Sequence, residues 1–107
     1  MQSIGKACLK NQGGFVAKLG FQYLDENGNR QTSKFGGDID LGQTDCEDPG
    51  KLGVPNGSII FVYVDVVGGE NNLAGQGFTY QSGLSVNANY SISGTTLDNT
   101  LGLINVG

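Results

Sequence analysis

Apolar residues in this chain recur with the two-residue period of an extended strand, and no stretch sustains the period of a helix. Phe15, Ala17, Leu19, Phe21 and Tyr23 fall on one face of an extended segment, with Lys18, Gly20 and Gln22 on the other. A half-buried strand needs this alternation. The segment runs into Asp25-Glu26-Asn27-Gly28-Asn29, and Asn-Gly favours a hairpin because both residues tolerate positive φ. The run Ser58–Val67 is β-branched or aromatic almost throughout and apolar on both faces, which suits a central strand. In Ser85–Ser93, Val86, Ala88, Tyr90 and Ile92 alternate with small polar residues. Weaker strands are expected at Lys6–Lys10, Arg30–Leu41, Gly77–Tyr80 and Thr100–Val106, separated by Gly- and Pro-containing turns. Nineteen of the 107 residues are Gly, against a usual share of about 7%. That suits turns and bulges and disfavours long helices. The expectation is one all-β domain over residues 1–107, an antiparallel two-sheet β-sandwich of about 7–8 strands with little or no helix.

The absences narrow the function. The chain has no His, which removes Ser-His-Asp, Cys-His and His-metal chemistry. Paired carboxylates alone would need a sheltered cleft to hydrolyse glycosides, and the charges here fall in loops. No enzyme activity and no cofactor are expected. Six basic residues stand against ten acidic ones, a net charge of −4, with no basic run. Nucleic-acid binding, which needs clustered positive charge, is not expected. No apolar run approaches the roughly 18–20 residues of a membrane-spanning helix. Met1–Lys6 has no apolar signal region, so the protein is either made without a secretory signal or has lost one.

Three groups of residues carry a family resemblance. They are Gly5-Lys6 with Asn11-Gln12-Gly13-Gly14-Phe15-Val16-Ala17-Lys18; Leu52-Gly53-Val54-Pro55-Asn56-Gly57-Ser58-Ile59; and Tyr90-Ser91-Ile92-Ser93-Gly94-Thr95-Thr96-Leu97 followed by Ile104. In order and spacing the chain resembles the C-terminal membrane-binding domain of the cholesterol-dependent (thiol-activated) cytolysins, a β-sandwich of about this size. The resemblance implies a loop tip that recognises membrane sterol through a Thr-Leu pair, here Thr96 and Leu97. It also implies a Trp-rich loop at the same tip. The segment expected there, Gly68–Gly77, has neither Trp nor Cys. The family's pore-forming domains have no counterpart in this chain, so it is not expected to form a pore alone.

Strand order places loops alternately at two ends. Residues 11–14, 44–50 and 68–77 are expected at one end, joined by 94–98, and Asp25–Asn29 and Pro55–Gly57 at the other. The candidate ligand-binding residues are therefore Gly13, Gly14, Glu70, Asn71, Asn72, Leu73, Thr95, Thr96 and Leu97. Leu73 and Leu97 are apolar residues in polar loops, which either insert into a bilayer or pocket or fold back onto the sandwich. Asp45, Glu47, Asp48 and Glu70, assigned to the same end, would repel an anionic membrane. Asp45, Glu47 and Asp48 are a weak candidate for Ca²⁺ ligation; the alternative is a solvated acidic loop, with no metal.

Asp65 interrupts the most apolar run, either as an outward-facing residue or as a buried carboxylate in need of a partner. Cys8 and Cys46 allow one disulfide, with Cys8 expected near the tip end of its strand; the alternative is two free thiols in a cytosolic protein. A bridge would favour a secreted, extracellular location. The expected function is recognition of a membrane lipid or sterol, or of a cell-surface glycan with Phe78, Tyr80 or Tyr90 stacking on the sugar. The alternative is a structural or protein-interaction sandwich, a homo-oligomer paired through edge strand Thr100–Val106 or Lys6–Lys10.

Overall fold

A computed structural model describes all residues, 1–107. It is all-β, with nine strands and one turn of 3-10 helix. The strands are β1 (Ser3–Ile4), β2 (Lys6–Asn11), β3 (Ala17–Leu24), β4 (Arg30–Thr32), β5 (Thr44–Glu47), β6 (Ile59–Val66), β7 (Asn72–Tyr80), β8 (Asn87–Gly94) and β9 (Asn99–Val106). They form a five-stranded sheet ordered β1-β7-β6-β3-β4 and a four-stranded sheet ordered β5-β2-β8-β9. The 3-10 turn, Pro49–Leu52, starts from the Asp48 cap and ends at Gly53.

The sheets are mixed, where a purely antiparallel sandwich was expected. β1 pairs parallel with β7, and β2 pairs parallel with β8. The cause is Gly5. The N-terminal segment is one extended run that leaves the first sheet at Ile4 and enters the second at Lys6, so both halves keep one direction. Gly5 makes the crossing by lying against the 84–86 backbone: its N–H donates to the Val86 carbonyl, 2.8 Å. A Cβ there would run into the Leu84 carbonyl.

The inner faces follow the expected alternation. Leu19, Phe21, Ile60, Val62, Val64, Phe78, Ala88, Tyr90 and Ile92 all belong to one buried cluster. β6 alternates strictly between buried and half-buried residues. Asp65 therefore points outward, paired in register with Lys18 on β3. The expected strand Arg30–Leu41 shrinks to β4. Beyond it, Phe35 folds over Gly20 on the outer face and packs against Tyr63, ring centroids 5.9 Å apart. Asp38 pairs with Lys18 at 3.7 Å on the surface.

Four segments lie at one pole. The ladders put Ala17, Val66 and Asn72 at the same end of the first sheet. They put Asn11, Ile92 and Gly94 at the same end of the second. The pole is thus built from residues 12–16, 39–43, 67–71 and 95–98. Asp25–Asn29 and Pro55–Gly57 face each other at the opposite pole, where both line one cleft. The segment 44–50, expected at the loop pole, lies elsewhere. Residues 44–47 are an edge strand running away from the loop pole, Lys10 opposite Thr44 and Ala7 opposite Glu47. Asp48 and the 3-10 turn reach the far pole, where the Tyr80 hydroxyl donates to the Asp48 carboxylate.

Candidate functional site

The loop pole is organised by one buried polar residue. Asn11 is fully buried. Its side-chain amide donates to the carbonyls of Phe15, 2.6 Å, and Ile39, 2.9 Å, and its side-chain oxygen accepts from the Gly13 N–H, 2.9 Å. Its backbone N–H donates to the Gln43 carbonyl, and its carbonyl accepts from the Gly42 N–H. One side chain thus fixes the 12–15 turn against the 39–43 turn. Asn11 was not among the expected site residues; an Asn closing its strand two residues before Gly13-Gly14 was the available signal.

The other two turns hold each other. The Glu70 N–H donates to the Thr96 carbonyl, 2.8 Å, and the Asn99 amide donates to the Glu70 carbonyl, 3.0 Å. Thr95 and Asp98 close a tight turn: each backbone N–H donates to the other's carbonyl, and the Asp98 N–H also reaches the Thr95 hydroxyl. The turns approach so closely that a Cβ on Gly69 would strike the Thr96 carbonyl. The Gly14 N–H donates to the Gly94 carbonyl, 3.1 Å, tying the first turn to the same cluster.

This geometry presents apolar side chains to solvent. Leu97 is 70% exposed at the crown of its turn, Leu41 64% and Val67 46%. Leu41 and Val67 were not expected. Val67 continues an apolar run and reads as strand, whereas a Leu beside Gly42 in a polar stretch was a legible hint. Thr96 is half-buried, and Gly14, Glu70, Asn71 and Thr95 are exposed. Asn72 opens β7, and its amide donates to the Asn99 side chain, 2.8 Å.

Several expected site residues lie elsewhere. Gly13 is buried under the Phe15 ring and offers no surface. Leu73 is not in a tip loop. It belongs to β7, opposite Tyr63, and is 41% exposed on the flank. Residues 72–77 are strand, so the link between β6 and β7 is the short turn 67–71 and not a ten-residue loop. Asp45, Glu47 and Asp48 do not converge. Asp45 and Glu47 are two apart on β5, and Asp48 is spent capping the 3-10 turn; no three such side chains gather as metal ligands do. Burial, followed by the Asp45 charge, raises the Glu47 carboxyl above its usual range. Phe78, Tyr80 and Tyr90 are core residues, 3% exposed or less, and cannot stack on a sugar.

Cys8 and Cys46 stand directly opposite each other on β2 and β5 and are joined by a disulfide. Cys8 is mid-strand, not at the tip end, because β2 extends three residues beyond it.

With this arrangement in hand, solved structures supply a comparison. The chain is similar to a Gram-negative toxin, with TM-score 0.51 and 17% identity over 94% of this chain and 22% of that one. It is similar to a disulfide-locked intermedilysin solved with human CD59, with TM-score 0.50 and 18% identity over 92% of this chain and 23% of that one. In fold it resembles the C-terminal domain of the cytolysins. The isolated membrane-binding domain of pneumolysin aligns over 94% of this chain and 96% of its own length, at 15% identity and TM-score 0.48. The chain spans less than a quarter of the length of the two toxins. No protein-family model and no curated protein sequence matches it.

Proposed function

We propose that this domain is a non-catalytic recognition module that docks its loop pole on a neutral lipid surface, with sterol as the preferred component. The observation that carries the reading is Leu97, an exposed leucine at the crown of a turn whose backbone is fixed on both sides. Val67 stands on the turn packed against it, and Leu41 on another turn of the same pole. A bilayer removes such side chains from water, each worth about 1.5–3 kcal/mol when fully buried. The hydroxyls of Thr95 and Thr96, the second amide proton of Asn71 and the carbonyl of the exposed Gly14 supply hydrogen-bond partners for a headgroup or a sterol hydroxyl. The fold likeness to the toxins points the same way by analogy only, because folds host many functions. A glycan surface fits less well, since no aromatic ring stands exposed at this pole.

Three partly exposed apolar side chains sum to roughly 4–6 kcal/mol, an affinity near the millimolar range or modestly better. One copy therefore holds weakly. The test is co-sedimentation with phosphatidylcholine vesicles, with and without cholesterol, comparing the wild type with Thr96→Ala/Leu97→Ala and with Leu97→Asp. Binding should rise with cholesterol and fall at least tenfold in both variants. Equal binding by all three proteins removes the pole as the contact.

A further inference from the structure

One flank of the sandwich combines an uncharged surface with an open strand edge. It is formed by β9 and by the upper part of β7, and none of their residues carries a charge: Asn-Thr-Leu-Gly-Leu-Ile-Asn-Val and Asn-Leu-Ala-Gly-Gln-Gly-Phe-Thr-Tyr. All sixteen charged side chains lie elsewhere. β9 is the outer strand of its sheet. Apart from its ladder to β8, the backbone groups of Thr100–Val106 have no hydrogen-bond partner. Leu103 and Ile104 are exposed on it, and Leu73 is exposed on β7 beside it.

The remaining sheet edges are defended. β5 carries Asp45 and Glu47. β4 is three residues long and begins with Arg30. β1 has only two residues. β2, the other edge expected from the sequence, is interior, between β5 and β8. Natural sheets protect edges by shortness, charge and bulges; β9 is long and uncharged, and its one irregularity, the extra residue Ile104, leaves Asn99–Leu103 in regular register.

We infer that β9 pairs antiparallel with β9 of a second copy, joining two four-stranded sheets about a two-fold axis. Two arguments favour a second copy as the occupant. In antiparallel pairing about a two-fold axis, residues equally far on either side of the axis face each other, so charges of one sign on the strand would be brought together across the seam; β9 has none to bring. Two molecules of net charge −4 also repel through most approaches, and the uncharged flank is where close contact is least opposed. Antiparallel two-fold pairing reverses the strand direction across the interface, so the two loop poles point to opposite ends of the dimer. This last step rests on the proposed membrane-docking function. A dimer with opposed poles does not double its grip on one bilayer. It bridges two, and tethers vesicles.

The experiment uses the whole chain. Light scattering coupled to size exclusion should give a mass that rises with concentration toward twice the 11.2 kDa protomer. Thr100→Lys and Ile104→Lys, both at exposed β9 positions, should stay monomeric, while Gln31→Lys on the opposite edge should dimerise as the wild type does. Circular dichroism checks that each variant is folded. With phosphatidylcholine–cholesterol vesicles, the wild type should raise turbidity several-fold, and the β9 variants should co-sediment without clumping. A wild type that stays monomeric, or β9 variants that still dimerise, overturns the β9 pairing. A dimer that β9 charges abolish but that binds no vesicle overturns the tethering and the proposed function together, while leaving the pairing in place.

Discussion

Asn11 and Tyr90 are both buried polar residues, and their surroundings differ in kind. Asn11 has its amide and its side-chain oxygen fully engaged. Removing it as Asn11→Ala leaves the Phe15 and Ile39 carbonyls and the Gly13 N–H without that partner. The expected cost is about 2–3 kcal/mol, read by denaturant unfolding, together with weaker vesicle binding because two of the four pole turns lose their common anchor. Tyr90 is 3% exposed, and its hydroxyl has no hydrogen-bond partner. Tyr90→Phe should therefore match or exceed the wild type, by up to about 1 kcal/mol. The same burial pushes the Tyr90 hydroxyl from the usual 10.0 up to about 12. A folded-state value above the unfolded one means that stability is complete below pH 10.0 and declines as pH rises toward about 12. Tyr90→Phe should flatten part of that decline and leave the part due to Tyr80, whose hydroxyl is also raised, by burial and its bond to Asp48. A variant with an unchanged alkaline profile would contradict the burial of this hydroxyl.

At the scale of elements, the disulfide secures the edge strand that burial does not. β5 is exposed along most of its length and is attached through its ladder and the Cys8–Cys46 bond, which spans 38 residues of sequence. Closing a loop of that size constrains the unfolded chain by roughly 3–4 kcal/mol. Reduction, or the pair Cys8→Ala/Cys46→Ala, should lower unfolding stability by that amount; an unchanged midpoint would show that β5 is held by its backbone ladder alone. Exposure also explains which elements were legible. β3, β6 and β8 face the core on one side, so their alternation is written in the residues. β5 buries almost nothing, and its sequence, Thr-Asp-Cys-Glu, reads as a polar loop; β4, equally exposed, is legible only as the start of a longer expected strand, Arg30–Leu41. The lower half of β7, Gly77–Tyr80, is legible, but its upper half, 72–76, is polar apart from Leu73 and Ala74 and pairs through an irregular register between Phe61 and Tyr63. The Thr95–Leu97 turn is marked by the family resemblance, and strand order sets 11–14 and 68–77 at the same end; that 39–43 joins them emerges only from pairing. Gly69→Ala should test that packing, lowering stability by about 1–3 kcal/mol through overpacking against the Thr96 carbonyl, with a parallel loss of vesicle binding.

For the whole molecule, the distribution of charge separates apolar docking from simple adhesion. Asp45, Glu47 and Asp48, expected near the contact surface, lie along β5 and toward the far pole. Asp40, Glu70 and Asp98 do stand at the loop pole, all exposed. An anionic leaflet interacts with each nearby charge by about 1 kcal/mol, decaying within a Debye length of roughly 8–10 Å at ordinary salt. If Leu97 and its neighbours enter the bilayer, these three carboxylates approach the headgroups together. Replacing a third of the phosphatidylcholine by phosphatidylserine should then weaken co-sedimentation by about tenfold or more at low salt. Added salt should restore most of the loss, because screening acts on the repulsion and leaves apolar burial nearly untouched. The opposite sign, stronger binding to anionic vesicles that salt abolishes, would place the contact on a lysine-bearing surface such as that of Lys6 and Lys10 on β2, and would remove the loop pole from the membrane.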